Sequence, residues 1–380
     1  MEKMETDGMK KVCMLTTVHP AFDTRIFYKE GMSLLRAGFD VTIIAQHDKS
    51  EVVNGIRLVA LQKPGNRFLR MLGLSLRAYR LALRERADIY HIHDPELLPF
   101  AKLLKLSGKP VVYDMHENVP KQIKNKDWIN PLLRKSVAGF VSFAEKILLL
   151  DIPVIFAEAS YHKDYPGVKN YATILNMPLI NQLTPLRNEF AKSEKPLIGY
   201  MGSVSEVRGS LATIEALKIL KDRGIESAFD CIGTIDKAHK RQLLKLLEEY
   251  KLQGANFYGW TKPDEGWARI ARCWIGLALL QPIPNYVESY PTKMFEYMAL
   301  GLPVIVSDFP LWKGLVEGAR CGVCVDPLNP EEIAGAIQYL IEHPAEAERM
   351  GKNGCRAVEE RYNWRVEEKT LLSLYGVLLP

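Results

Sequence analysis

Two carboxylates eight positions apart, Glu288 and Glu296, bracket a Pro-Thr-Lys step in the stretch "ESYPTKMFEYMALGLPVIVSD". Proline lacks an N–H and suits the first position of a helix, so a helix is expected from Pro291. The N–H groups of Thr292 and Lys293, the positive end of the helix dipole and the Lys293 ammonium then form an anion site that fits a diphosphate. Glu296 falls ~7.5 Å further along the helix axis, and Glu288 lies on the loop before it. Two acceptors flanking a diphosphate suit the hydroxyl-bearing rings of a nucleotide sugar, one glutamate for the ribose and one for the sugar. The plainer alternative is a helical pair between Glu296 and Lys293, with Glu288 facing water.

Such a site needs a sheet edge behind it. From Lys11 onward short apolar runs ("KVCMLTT", "DVTIIAQ", "DIYHIH", "PVVYDMH") alternate with helical stretches, the signature of a parallel sheet covered on both faces. The rhythm stops after "ATILNMP", passes through the polar "LINQLTPLRNEFAKSEKP", and resumes with "LIGYMG", "SAFDCIG", "WIGLALL" and "PVIVSD". The chain of 380 residues is therefore expected to be α/β, with two doubly wound Rossmann-like domains facing across a cleft. The expected parts are residues 1–180, a linker over 181–195, a second domain over 196–362, and a last helix over 363–380. Ligands bind beyond the carboxyl ends of such strands. The segments to inspect are "TTVHPAFDTR", "HIHDPE" and "DMHENVP" in the first half, and "GSVSEVRG", "GTID" and "ESYPTK" in the second.

Composition narrows the class. With 47% hydrophobic and 25% charged residues the chain is globular. The start "MEKMETDGMKK" is charged and its first apolar run is short, which reads as no secretory signal and a cytoplasmic protein. The segment "VAGFVSFAEKILLLDIPVIFAEA" is broken by Glu145, Lys146 and Asp151, and reads as a core helix followed by a core strand. Six scattered cysteines suit a reducing compartment, and "CGVC" at 321–324 reads as part of a strand. Residues 1–180 carry 26 Lys and Arg against 19 Asp and Glu, the remainder 24 against 26. Within the basic half, the segment 67–86 ("RFLRMLGLSLRAYRLALRER") has six Arg and one Glu. It is expected to be a surface helix with its leucines inward and a basic face outward, and a peripheral contact with anionic membrane is its second reading. No nucleic-acid motif is found.

Glu-x7-Glu followed by "YMALGLPVI" resembles the signature of the family-four retaining glycosyltransferases, the group 1 glycosyl transferases of GT-B fold. "YMGSVSEVRG" resembles that family's phosphate-binding turn, where a glycine, here Gly202, is followed by an arginine and, five positions later, a lysine. Those two places hold Ser203 and Arg208. "HPAFDTRIFYKE" stands where many members have a Gly-Gly loop. "YDMHEN" places His116 where the family presents a histidine to the donor sugar. The resemblance implies Glu296 on the ribose, Glu288 on the transferred sugar, Arg208 and Lys293 on the diphosphate, and His116 near the anomeric centre. It also implies that the last helix crosses back to the first domain. Asp23 and Arg25 are further candidates from their place on the first strand-to-helix loop, with Asp23 as a helix cap the alternative.

The resemblance implies a retaining, metal-independent hexosyltransferase that uses a UDP- or GDP-sugar as substrate and needs no cofactor. No Asp-x-Asp occurs in the sequence. A saccharide or lipid-linked acceptor in bacterial surface polysaccharide assembly, at the inner face of the cell membrane, is the expected setting. A nucleotide-sugar epimerase of the same fold and a non-catalytic partner subunit are the competing readings. His91, His93, Asp94, Asp114, His116 and Glu117 gather ligand types at two strand ends, but not in a helical His-Glu-x-x-His arrangement, and no metal site is expected.

Overall fold

The computed structural model describes residues 8–62, 73–123, 130–189 and 192–379. The chain divides into two compact units, Met1–Asn176 together with Arg365–Pro380, and Met177–Trp364.

The first unit is built on a sheet of eight strands: β1 (Lys11–Pro20), β2 (Asp40–Gln46), β3 (Glu51–Val53), β4 (Ile56–Leu61), β5 (Ile89–Ile92), β6 (Val111–Met115), β7 (Val154–Phe156) and β8 (Tyr171–Thr173), in the order β3-β4-β2-β1-β5-β6-β7-β8. All neighbours are parallel except β3 and β4. Residues Val12 to Thr17 are buried without a break, as expected of a central strand with helices on both faces. The second unit carries β9 (Leu197–Met201), β10 (Ala228–Ile232), β11 (Ala255–Gly259), β12 (Ile275–Ala278), β13 (Val304–Ser307) and β14 (Gly322–Val325) in a fully parallel sheet of order β11-β10-β9-β12-β13-β14. In both sheets the order reverses beside the first strand, between β1 and β5 and between β9 and β12. At such a switch point the loops leave in opposite directions and open a crevice.

The helix Trp364–Leu378 begins in the second unit, where the Trp364 N–H donates to Pro178 O, and then joins the first. There Glu367 accepts from the Leu175 N–H at 2.8 Å, and the Tyr375 hydroxyl meets His91 Nδ1 at 2.9 Å.

Three stretches differ from expectation. The segment 181–195, read as a linker, contains the helix Ile180–Glu189 with Pro185 inside it. Leu183 is buried there, and the helix packs on helices Pro263–Ala271 and Thr292–Ala299. One apolar anchor is enough to seat an otherwise polar stretch. In the basic segment, residues 67–72 lie outside the described residues, and Ser75–Glu85 is helical. Its inward side is Leu74, Ser75, Ala78 and Ala82, while Leu76 and Leu83 are exposed. Small residues let the helix lie close to the sheet, so alanines rather than leucines face the core. Finally, the helix Pro131–Leu149 is no core helix: Phe140 and Phe143 are 72% and 65% exposed. The strand that follows, β7, is fully buried as expected. Cys321 and Cys324 flank and enter β14, and neither thiol is in a disulfide.

Two glycines meet where the chain leaves the neighbouring strands β9 and β10. Gly233 has φ +145°, and a Cβ there would stand 1.8 Å from the Gly202 carbonyl oxygen. Gly233→Ala is therefore expected to destabilise the protein by roughly 3 kcal/mol in urea unfolding, from overlap and backbone strain together. Unchanged stability would show that the two turns can move apart.

Candidate active site

The crevice end of the second unit collects the predicted binding residues. After β9 the chain turns at Gly202 and runs through Ser203 and Arg208 to the helix Ser210–Asp222. The turn is tied down on both sides: the Gly202 and Val204 N–H groups donate to Ile232 O and Thr234 O, and Gln281 N–H donates to Val207 O. Gly209, at φ +79°, abuts the end of β12 so closely that a Cβ would lie 2.3 Å from Leu279 O. After β12 the chain forms a short helix at Pro284–Val287, and Glu288 follows it. Buried Trp312 fixes this loop by donating its Nε1–H to Ser289 O at 2.6 Å. The next helix runs Thr292–Ala299, with Pro291 as its cap residue rather than its first turn. The cap residue keeps an extended ψ, which moves the helix start one place along.

Lys293 is buried. Its Nζ donates to the Tyr200 hydroxyl at 2.9 Å, and that hydroxyl donates to Ser203 O at 2.6 Å. A Cβ on Gly202 would lie 3.2 Å from Nζ, so the absent side chain is what lets the ammonium reach the turn. Burial first, and then the nearby Arg208 guanidinium, pull the Lys293 amino group down to about 7. Arg208 also lies over the Tyr286 ring, 5.5 Å from its centroid. Glu296 and Glu288 are half-buried, and Glu296 opposes the fall in the Lys293 pKa. Gly202, Arg208, Lys293 and the helix N-terminus at Thr292 thus converge on one turn, with Glu288 and Glu296 on the loop and helix beside it. Tyr200 is the participant that sequence reading missed; on a buried strand it looks like any core aromatic.

The first unit carries a second group of residues at its own switch point. Asp23 caps the helix that starts at Thr24, accepting from the Arg25 and Ile26 N–H groups at 2.8 and 3.0 Å. Arg25 is 4% exposed, and its guanidinium grips Asp114 with two bonds of 2.7 and 3.0 Å. The same group lies 3.0 Å from Glu30. Asp114 in turn accepts from His116 Nε2 at 2.9 Å. An ionised carboxylate only accepts, so in a neutral His116 the proton is on Nε2 and the lone pair on Nδ1. His116 is half-buried at the end of β6, beside His19 with ring centroids 5.1 Å apart. Asp94 organises the second half of β1, accepting from the Thr16 and Thr17 hydroxyls at 2.9 and 3.2 Å.

Glu30, His91, His93 and Asp114 bring donor atoms within 4.8 Å of one another, all buried. These are metal-ligand types, but Arg25 already lies on both carboxylates, which gives the cluster a cation of its own. Burial depresses both imidazoles, His93 to about 4 and His91 well below its ordinary value. Although burial alone would raise it, the Asp114 carboxyl is held low by Arg25 and then His116. The Glu30 carboxyl goes up, through burial and the neighbouring Asp114 charge.

Two family models match the sequence: "Glycosyl transferases group 1" over residues 184–356 and "Glycosyltransferase Family 4" over residues 26–164. The chain belongs to the group 1 glycosyltransferases and has the GT-B fold. Alpha-D-kanosaminyltransferase of Streptomyces kanamyceticus is 24% identical over 191 residues, covering 50% of this chain and 48% of that protein. The chain thus spans about half the length of that relative. Among solved structures, sucrose-phosphate synthase of Thermosynechococcus elongatus superimposes with a TM-score of 0.75 at 19% identity, over 97% of this chain and 99% of that one. Anabaena HepE, solved in complex with UDP and glucose, gives 0.72 at 14% identity, over 97% and 100%.

The buried imidazoles set a pH signature. His93 titrates near 4 when folded and near 6.5 when unfolded, so between those values the unfolded chain binds more protons and stability falls as pH drops. Raised Glu30 acts in the opposite sense over an overlapping range, so the informative comparison is with His93→Gln. Urea unfolding from pH 7 to 4 is expected to show a shallower loss in that variant. Parallel curves would mean that His93 is not held neutral.

Proposed function

We propose that this protein is a retaining, metal-independent hexosyltransferase that moves a sugar from a nucleoside-diphosphate sugar to a hydroxyl of a saccharide or lipid-linked acceptor. The observation that carries the reading is the buried Lys293 amino group beside Arg208 at the Gly202 turn, two cationic groups gathered next to the N-terminus of the helix Thr292–Ala299. A diphosphate answers both, and the helix N-terminus at Thr292 adds to the field. Glu296 then takes the ribose hydroxyls and Glu288 the sugar, as their places on either side of the turn suggest. HepE binds UDP, which makes UDP the first nucleotide to try.

In the reaction the bond from C1 of the sugar to the diphosphate oxygen breaks while the bond from the acceptor oxygen to C1 forms on the same face. The acceptor proton passes to the departing phosphate oxygen. Charge grows on the leaving diphosphate as the ring becomes oxocarbenium-like. Arg208 and Lys293 address the first change. His116, held in one tautomer by Asp114, accounts for a polar contact near the anomeric centre. A bacterial surface polysaccharide is the acceptor setting we favour.

Thermal shifts with UDP, GDP and ADP, with magnesium and with chelator, test the donor site. A nucleotide at 100 times its Kd adds about 2.7 kcal/mol, which raises the melting temperature by several degrees. UDP is expected to stabilise in chelator. Glu296→Ala should abolish most of that shift, whereas Glu288→Ala should keep it and lose turnover; two variants indistinguishable from wild type would refute the assignment.

The same site predicts a pH dependence. Because Lys293 must be charged to hold phosphate and titrates near 7 when free, affinity for UDP should fall roughly tenfold between pH 7 and 8.5. Titration calorimetry reads this directly. Lys293→Arg keeps its charge throughout, so its profile should be flat in that window; an equally steep fall in the variant would place the titrating group elsewhere.

A further inference from the structure

The helix Pro131–Leu149 turns a row of large apolar side chains to water. Leu133, Val137, Phe140, Phe143 and Ile147 are 56%, 37%, 72%, 65% and 49% exposed, and their spacing of three and four residues puts them on one stripe. Its inward side is Ala138, Glu145 and Leu149. A contiguous apolar surface of this kind marks an interaction site rather than ordinary exposure.

The charge around the stripe is one-sided. Glu145, the sole acid in the helix, is buried, and its carboxylate accepts from the Tyr165 hydroxyl at 2.5 Å. Arg134, Lys135 and Lys146 of the helix and Lys121 nearby line an open cavity of about 660 Å3. The acid on that wall, Asp164, is paired with Lys121 at 2.8 Å. Asp151, just past the helix, is paired with Lys102 and Lys105. Among the described residues the surface is therefore apolar along its crest and cationic beside it, with Asp164 and Asp151 each matched by a lysine. Among the described residues no helix is long and apolar enough to cross a membrane. The combination is that of a helix lying in a lipid interface.

We propose that this helix docks the protein on an anionic phospholipid bilayer, its apolar stripe at the acyl boundary and the cations of the adjoining cavity on lipid phosphates. The contact is separate from the donor site and does not depend on the donor's identity. It also differs from the basic segment 67–86: in that segment's described part, Leu76 and Leu83 are exposed among the arginines, without a continuous apolar crest.

Co-sedimentation of the full chain with phosphatidylcholine vesicles, with and without phosphatidylglycerol, tests this. Binding is expected only with the anionic lipid and should weaken with salt. Lys135→Gln and Lys146→Gln should each lower the partition coefficient ~5-fold, the value of one charge at such a surface. The double change Phe140→Ser with Phe143→Ser should lower it ~10-fold or more. Since all four side chains are exposed, melting temperature and the UDP shift should stay at wild-type values, which separates loss of docking from loss of fold or donor binding. No binding to anionic vesicles, or binding indifferent to the two phenylalanines, overturns the proposal. So does a concentration-dependent dimer that those changes dissolve while vesicles are ignored, which would make the stripe a contact between two copies.

Discussion

An amino group buried next to a guanidinium is the constraint around which the second unit is organised. Water would stabilise the Lys293 ammonium far better than its surroundings do, and its depressed pKa measures that cost. The fold maintains the arrangement with local devices that have little other purpose. Gly202 removes the side chain that would keep Nζ from the turn, Tyr200 gives the amino group one polar contact, and Gly209 and Gly233 let three backbone segments meet. On the function proposed above, an anion would relieve this tension, since its charge favours the ammonium that burial disfavours.

The first unit resolves the same problem within itself. Its buried carboxylates face a buried arginine and its histidines are driven neutral, so opposite charges lie together under the sheet end. The cluster holds His116 by a chain of contacts from Arg25 through Asp114, and it holds the C-terminal helix by Tyr375 on His91. The plain role of Asp23 as a helix cap belongs to the same logic: the residues beneath a site are spent on fixing geometry.

The alternation of apolar runs with helical stretches made both parallel sheets readable, since a strand buried on both faces has no polar residue to confuse its limits. Strand order was not readable, but the segments named by the rule that ligands gather beyond strand ends do lie at the carboxyl ends of strands. Glu288, Lys293, Glu296 and Arg208 could be proposed together because their spacing is local, within one turn or one loop and helix. Arg25 is a candidate by residue type and loop position, but the direction of a long side chain is not legible in sequence. Its partner Asp114 lies 89 positions away, and no local pattern marks such a pair. Tyr200 was invisible for the opposite reason: its ring sits in the core and only its oxygen belongs to the site.

The helix Pro131–Leu149 shows where hydropathy misleads. Its sequence is apolar on most sides, and a helix apolar all round is ordinarily a buried one. What decides burial is the space available against the neighbouring elements, here the helices Val119–Ile123 and Leu98–Leu106, and that slot accepts Ala138 and the Glu145–Tyr165 pair. The bulkier phenylalanines therefore have nowhere to go but outward. A chain selected only for stability would have little use for such a face, because exposed aromatic surface gains nothing in water. That the only carboxylate of the helix is turned inward, while the cations stay beside the exposed crest, gives the face a consistent sign and hence a consistent kind of partner.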